Sequence, residues 1–187
     1  MGSPQHDERD GPPRGAIIAA IAVAAVAVVG LLGFVALRWT AAPERPVAIV
    51  SIPAPQAEGD ACRALLDAIP DRLGDYDRAT VAQPAPAGAA AWRRDGSDAS
   101  EVDDPVIMRC GLEQPLDFVA GTPVQMVDEV SWFRIADTGR TTWTTVDRPV
   151  YVALTLPDGS GPSPIQLISQ AVAKSMPAVA VNPGPAR

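Results

Sequence analysis

The run from Gly15 to Leu37 constrains this chain more than any other feature. Its 23 residues carry no charge, no polar side chain and no proline. As a helix rising ~1.5 Å per residue it reaches about 34 Å, enough to cross a bilayer core of about 30 Å. Twelve of the residues are Ile, Val, Leu or Phe; the rest are Ala and Gly. At roughly −0.3 to −0.6 kcal/mol each, those twelve favour insertion by several kcal/mol. A core helix of a soluble domain keeps a polar face, and this run has none. Residues 15–37 are therefore expected to form a transmembrane helix in the lipid bilayer. The competing reading is a cleaved signal peptide, for which the small residues Thr40-Ala41-Ala42 offer a site. Such peptides have shorter apolar regions, of about 7–15 residues. Trp39 beside Arg38 suits an interfacial anchor. Ala16, Ala20 and Ala24 share one helix face and permit close helix packing.

Charge does not orient the span. Arg9 and Arg14 precede it, and Arg38 and Arg45 follow it. Orientation is argued instead from Cys62 and Cys110, the only cysteines, both beyond the span. Two cysteines in an exported domain most simply form one disulfide. The alternative is a pair of unpaired buried thiols. A bridge places the body outside the cytoplasm and the short head of residues 1–14 inside. No Cys-x-x-Cys spacing supports a redox role.

Net charge is −7. That disfavours nucleic acid and anionic membrane surfaces as partners, because both attract basic patches. The expected organisation is a disordered head at 1–14, the span at 15–37 and a Pro-rich linker at 38–58. A body at 59–177 and a disordered Pro-rich tail at 178–187 complete it. Within the linker, Val47 to Ile52 is β-branched and reads alternatively as an edge strand of the body.

In the body, Cys62, Leu65, Leu66 and Ile69 recur at helical spacing, with Asp60 as the expected N-cap. Ala89–Arg93, Val106–Cys110, Val130–Ala136, Thr141–Val146 and Val150–Leu156 read as strands. Asp137-Thr138-Gly139-Arg140 carries a hairpin signal. Ile165, Ile168, Val172 and Met176 mark a second helix from Ser163 to Ser175, stopped by Pro177. The fold class is α+β: an antiparallel sheet carrying two helices on one face.

Five motifs in order resemble an uncharacterised family of actinobacterial membrane-anchored envelope proteins with a domain of unknown function. They are Cys62-Arg63-Ala64-Leu65, Ala91-Trp92, Arg109-Cys110-Gly111, Ser131-Trp132-Phe133 and Arg148-Pro149-Val150. The resemblance runs from Gly15 to about Met176. The acidic stretch Arg94 to Asp104 departs from it, where the pattern has a short Gly-Pro turn. The resemblance implies a cell-envelope location and a matching fold, with no activity attached.

Several chemistries are excluded by composition. The only histidine is His6, in the head. The body therefore has no Ser-His or Cys-His pair and no His-based zinc site. Lys174, the only lysine, is not at Ser-x-x-Lys spacing from Ser169 or Ser175. Asp95, Asp98, Glu101, Asp103 and Asp104 offer oxygen ligands but miss the EF-hand pattern. Asp128 and Glu129, read on a strand, point to opposite faces and make a poor glycosidase pair. No cofactor is implied. Trp92, Arg109, Trp132 and Trp143 remain as a possible ligand or partner face; core packing is the plainer role for the tryptophans. Arg109 and Arg148 suit a carboxylate or phosphate, or a structural ion pair. The expected function is a non-catalytic, membrane-tethered binding or assembly module for an envelope protein or wall component. The alternative is a carboxylate-dependent enzyme acting on envelope glycans or lipids.

Overall fold

The computed structural model describes residues 14–39, 46–94 and 104–186. The chain divides into two compact units, at residues 1–43 and 44–187. The readings made for the head, for residues 40–45 of the linker and for residues 95–103 of the acidic loop lie outside the described residues.

The first unit contains one helix, α1 (Arg14–Trp39). It is long and apolar enough to cross a membrane, and no residue of its Ile17–Phe34 window is buried. Ile, Val and Leu side chains stand exposed all round it, which water disfavours and lipid does not. By length and composition it suits either a membrane span or a signal sequence.

The second unit opens its regular structure with α2 (Asp60–Ala68). Cys62 and Leu65 are buried, as the spacing requires. Gly59, not Asp60, occupies the N-cap. Asp60 lies in the first turn and pairs with Arg63. Its charge suits the helix N-terminus from there too.

Strands β1 (Arg72–Leu73), β2 (Tyr76–Ala79), β3 (Ala89–Arg94) and β4 (Val106–Leu112) follow. Then come β5 (Val124–Val127), β6 (Val130–Asp137), β7 (Arg140–Thr145), β8 (Tyr151–Pro157) and α3 (Ser163–Ser175). The strands form one antiparallel sheet of order β1-β2-β3-β4-β8-β7-β6-β5. Two four-stranded meanders thus meet where β4 pairs with β8. The α+β reading holds. Strands β1, β2 and β5 were not legible, because each is only two to four residues long.

The main core lies between α2, α3 and one sheet face. Leu65, Ile69, Trp92, Met108, Trp132, Val152, Leu154, Ile168 and Val172 all belong to it. The alternation along β8 explains its position: Val152, Leu154 and Leu156 share the helix-side face.

Both predicted boundaries of the body move outward. Residues from Pro46 belong to the body rather than to a free linker. The Val47 N–H donates to the Thr80 carbonyl (2.7 Å), and the Val47 carbonyl accepts from Ala82 (2.9 Å). Val47 and Ile49 pack with Ala91 in a second cluster, on the sheet face away from the helices. The tail, expected to have no core to join, is also docked. The Val179 N–H donates to the Asp147 carbonyl (2.9 Å), and Gly184 bridges Val119. Gln114 Nε2 adds a bond to the Asn182 carbonyl at 3.0 Å. Backbone hydrogen bonds hold both straps, and these leave little trace in a sequence pattern.

Candidate functional site

Arg109, Cys110 and Gly111 occupy consecutive positions on β4 and perform three separate tasks. Cys110 points into the core and forms a disulfide with Cys62 of α2. Both sulfur-bearing residues are fully buried. Arg109 therefore points to the opposite face. Gly111 sits at a break in the β4–β8 register with φ +86°, a conformation open to glycine. The N-terminal strap crosses directly above it. A Cβ at Gly111 would lie 2.2 Å from the Ala57 nitrogen. The Gln56 N–H donates to the Gly111 carbonyl at 3.1 Å.

A cleft of about 720 Å³ lies on the helix side of β5–β8. Trp143 and Arg134 stand side by side in its wall as cross-strand partners. The Arg134 guanidinium lies 5.7 Å from the Trp143 ring centroid, a cation–π distance. Gln125 of β5, Thr141 of β7 and Gln166 of α3 add amide and hydroxyl groups, and Leu156 and Ile165 supply apolar surface. The loop 157–162 closes one end. Two carboxylates, Asp128 and Asp158, line the cleft, and both are exposed.

The β5–β6 turn fixes one wall. Asp128 and Glu129 both have positive φ, at 44° and 66°. They are thus turn residues of a tight hairpin, not the strand pair expected from sequence. A non-glycine pair in this conformation needs outside support. Gln170 Nε2 donates to Asp128 Oδ2 at 3.1 Å, and Arg148 Nη2 donates to the Glu129 carbonyl at 2.8 Å. Arg148 is itself buried beside Asp147, with Nη1 2.9 Å from Asp147 Oδ1. Asp147 Oδ2 accepts from the Ser131 N–H at 2.9 Å. This buried pair ties the hairpin to β6 and, through the Asp147 carbonyl, to the C-terminal strap. Arg148 is accordingly a structural ion-pair residue.

The four residues read as one ligand face do not come together. Trp92 is fully buried; its Nε1 donates to the Pro70 carbonyl at 3.0 Å, and Arg78 stacks on its ring at 4.9 Å. Trp132 is fully buried, with Nε1 donating to Ser169 Oγ at 3.0 Å. Both are core residues, as the plainer reading had it. Trp143 alone reaches the cleft. Arg109 lies on the other face, in a smaller recess of about 190 Å³. Sequence reasoning missed Arg134 and Gln125. The Arg134 signal was an alternating strand, while Gln125 lies on a strand too short to notice.

The remaining candidates have structural partners. Ser169 Oγ serves Trp132, and Ser175 Oγ donates to the Ala171 carbonyl at 2.7 Å. Lys174 is exposed in the last turn of α3. Of the acidic-loop group only Asp104 is described, 3.9 Å from Arg140. Among the described residues no three His, Cys, Asp or Glu side chains converge as a metal site.

No curated protein and no solved structure matches the chain. One family does, over residues 21–181, which takes in part of α1, the N-terminal strap, the start of the C-terminal strap and the whole sheet with its two helices. The chain belongs to this family, described as protein of unknown function (DUF3515).

Proposed function

We propose that this is a single-pass membrane-tethered protein of the cell envelope, with a short head in the cytoplasm and the body outside. The body binds an envelope component in the β5–β8 cleft and does no chemistry on it. The observation that carries this reading is the open cleft of about 720 Å³ whose wall presents Trp143 with Arg134. An aromatic ring beside a cation and several amide and hydroxyl groups is the usual make-up of a site that orients a polar ligand. The disulfide supports an oxidising compartment for the body. The apolar α1 supports the tether.

The enzyme reading draws on Asp128 and Asp158, which both line the cleft. Binding is favoured because both are exposed turn residues.

The test uses the full chain in cells. A photo-crosslinking residue is placed at Gln125 or Thr141, and as a control at Asp67 on the exposed side of α2. Capture of one envelope component from the cleft positions alone is expected. Equal capture from Asp67, or none from either cleft position, refutes the reading. A reporter fused at Arg187 should be active outside the cytoplasm; protection of the body from protease in spheroplasts refutes the topology.

A further inference from the structure

We propose that Arg109 anchors an oxyanion-binding pocket on the sheet face opposite the helices, built for a phosphate or carboxylate group joined to an apolar body. The inference does not depend on the reading of the cleft, which lies on the other face.

The first argument is electrostatic. The chain holds 22 acidic residues against 15 Lys and Arg. None of the described carboxylates meets Arg109, and its Nε is buried with no hydrogen-bond partner. A guanidinium partly removed from water without a counter-charge costs free energy. Burial accordingly pushes its pKa down. Three other arginines have partners. Arg148 meets Asp147, Arg72 meets Asp77 and Arg78 stacks on Trp92. The Nε atoms of Arg93 and Arg148 are also unpartnered, but Arg148 meets Asp147 through Nη1, and Arg93 sits across from Asp77. Neither lines a recess described above.

The second argument is space. Arg109 lines a recess of about 190 Å³. Its cross-strand neighbours on β3 and β8 are Ala89 and Ala153. Two alanines leave the guanidinium fork uncovered, so a planar or tetrahedral oxyanion can meet it through two parallel N–H bonds. The third argument is the wall. Val50, Ile52, Ala54, Pro86 and Leu112 line the same recess and give it an apolar side, with Ser51 among them. Val50 and Ile52 are 75% and 44% exposed, and form an apolar rim. The strap that carries them is held against Gly111. An occupant that satisfies both parts is an oxyanion with an apolar flank. A soluble phosphate or carboxylate and an anionic lipid headgroup share this chemistry.

The experiment melts the full chain in phosphatidylcholine nanodiscs, with inorganic phosphate titrated at constant ionic strength. A second arm replaces part of the lipid by phosphatidylglycerol. A saturable rise in Tm in either arm is expected. A response to inorganic phosphate assigns a soluble oxyanion, and a response to phosphatidylglycerol alone assigns a headgroup. Arg109→Gln should weaken the response at least tenfold, Arg109→Lys by less, and Lys174→Gln not at all. Without ligand, Arg109→Gln should melt at or above the wild-type temperature, because it removes an unmatched, half-buried charge. No saturable response in either arm overturns the proposal. So does an undiminished response in Arg109→Gln. A large fall in the ligand-free Tm of that variant also overturns it, since it would make Arg109 a structural residue.

Discussion

Opening the Cys62–Cys110 bridge should cost the body about a quarter or more of its stability. The bridge closes a segment with a sequence separation of 48. In the chain-entropy model a loop of that size restrains the unfolded chain by about 4 kcal/mol. Typical domains have only about 5–15 kcal/mol in total. Cys62→Ala, Cys110→Ala and the double variant form a cycle. Both residues are fully buried, so each substitution also leaves a small void. The void contributions add, but the bridge is lost only once. The coupling between the two sites should therefore be about 4 kcal/mol, with the double variant little worse than either single one. For a body of this size the fall in Tm is roughly 10–15 °C. Reduction of the wild-type body should reproduce most of it. The assay is thermal and urea unfolding of residues 46–187 in oxidised and reduced form. Additive single effects refute the reasoning. So would labelling of both thiols in the native protein.

Three further outcomes follow from the packing. Val152→Asp places a carboxylate at a fully buried position facing Leu154, Ile168 and their neighbours. It should cost several kcal/mol, and an unchanged circular-dichroism melt would contradict the assigned core. Arg148→Met removes one partner of the buried pair and leaves Asp147 uncompensated. It should cost about 3–5 kcal/mol, whereas replacing both partners by apolar residues should cost less; urea midpoints decide between these. Gly111→Ala meets both a left-handed backbone and the strap atoms above it. A loss of about 1–2 kcal/mol is expected from the backbone alone. Faster proteolysis between residues 46 and 57 should accompany it, and an unchanged cleavage pattern would show that the strap is held elsewhere.

Long apolar patterns were legible because burial imposes them directly. The 23-residue run, the period of α2 and α3 and the alternation of β8 each record which environment a face meets. The cysteine count carried the disulfide, and the strands longer than five residues carried the α+β class. What escaped was held by backbone bonds or by distant partners. The straps at 46–57 and 177–186 have no period of their own, and dock through N–H and carbonyl groups. The turn at Asp128 and Glu129 has no glycine to announce it, and depends on Arg148 and Gln170 from elsewhere in the chain.

Sequence determined the residue types at the candidate sites, and only the tertiary structure determined their company. Trp92, Trp132 and Trp143 are alike in sequence, yet two are enclosed by helices and one opens on a cleft. Arg109 and Arg148 are alike as well. Arg148 meets the adjacent Asp147 where the chain bends after β7, while β4 sets Arg109 between Ala89 and Ala153, where no described carboxylate pairs with it. Side-chain chemistry is local, but burial and charge pairing depend on which strands become neighbours, and that choice belongs to the whole fold.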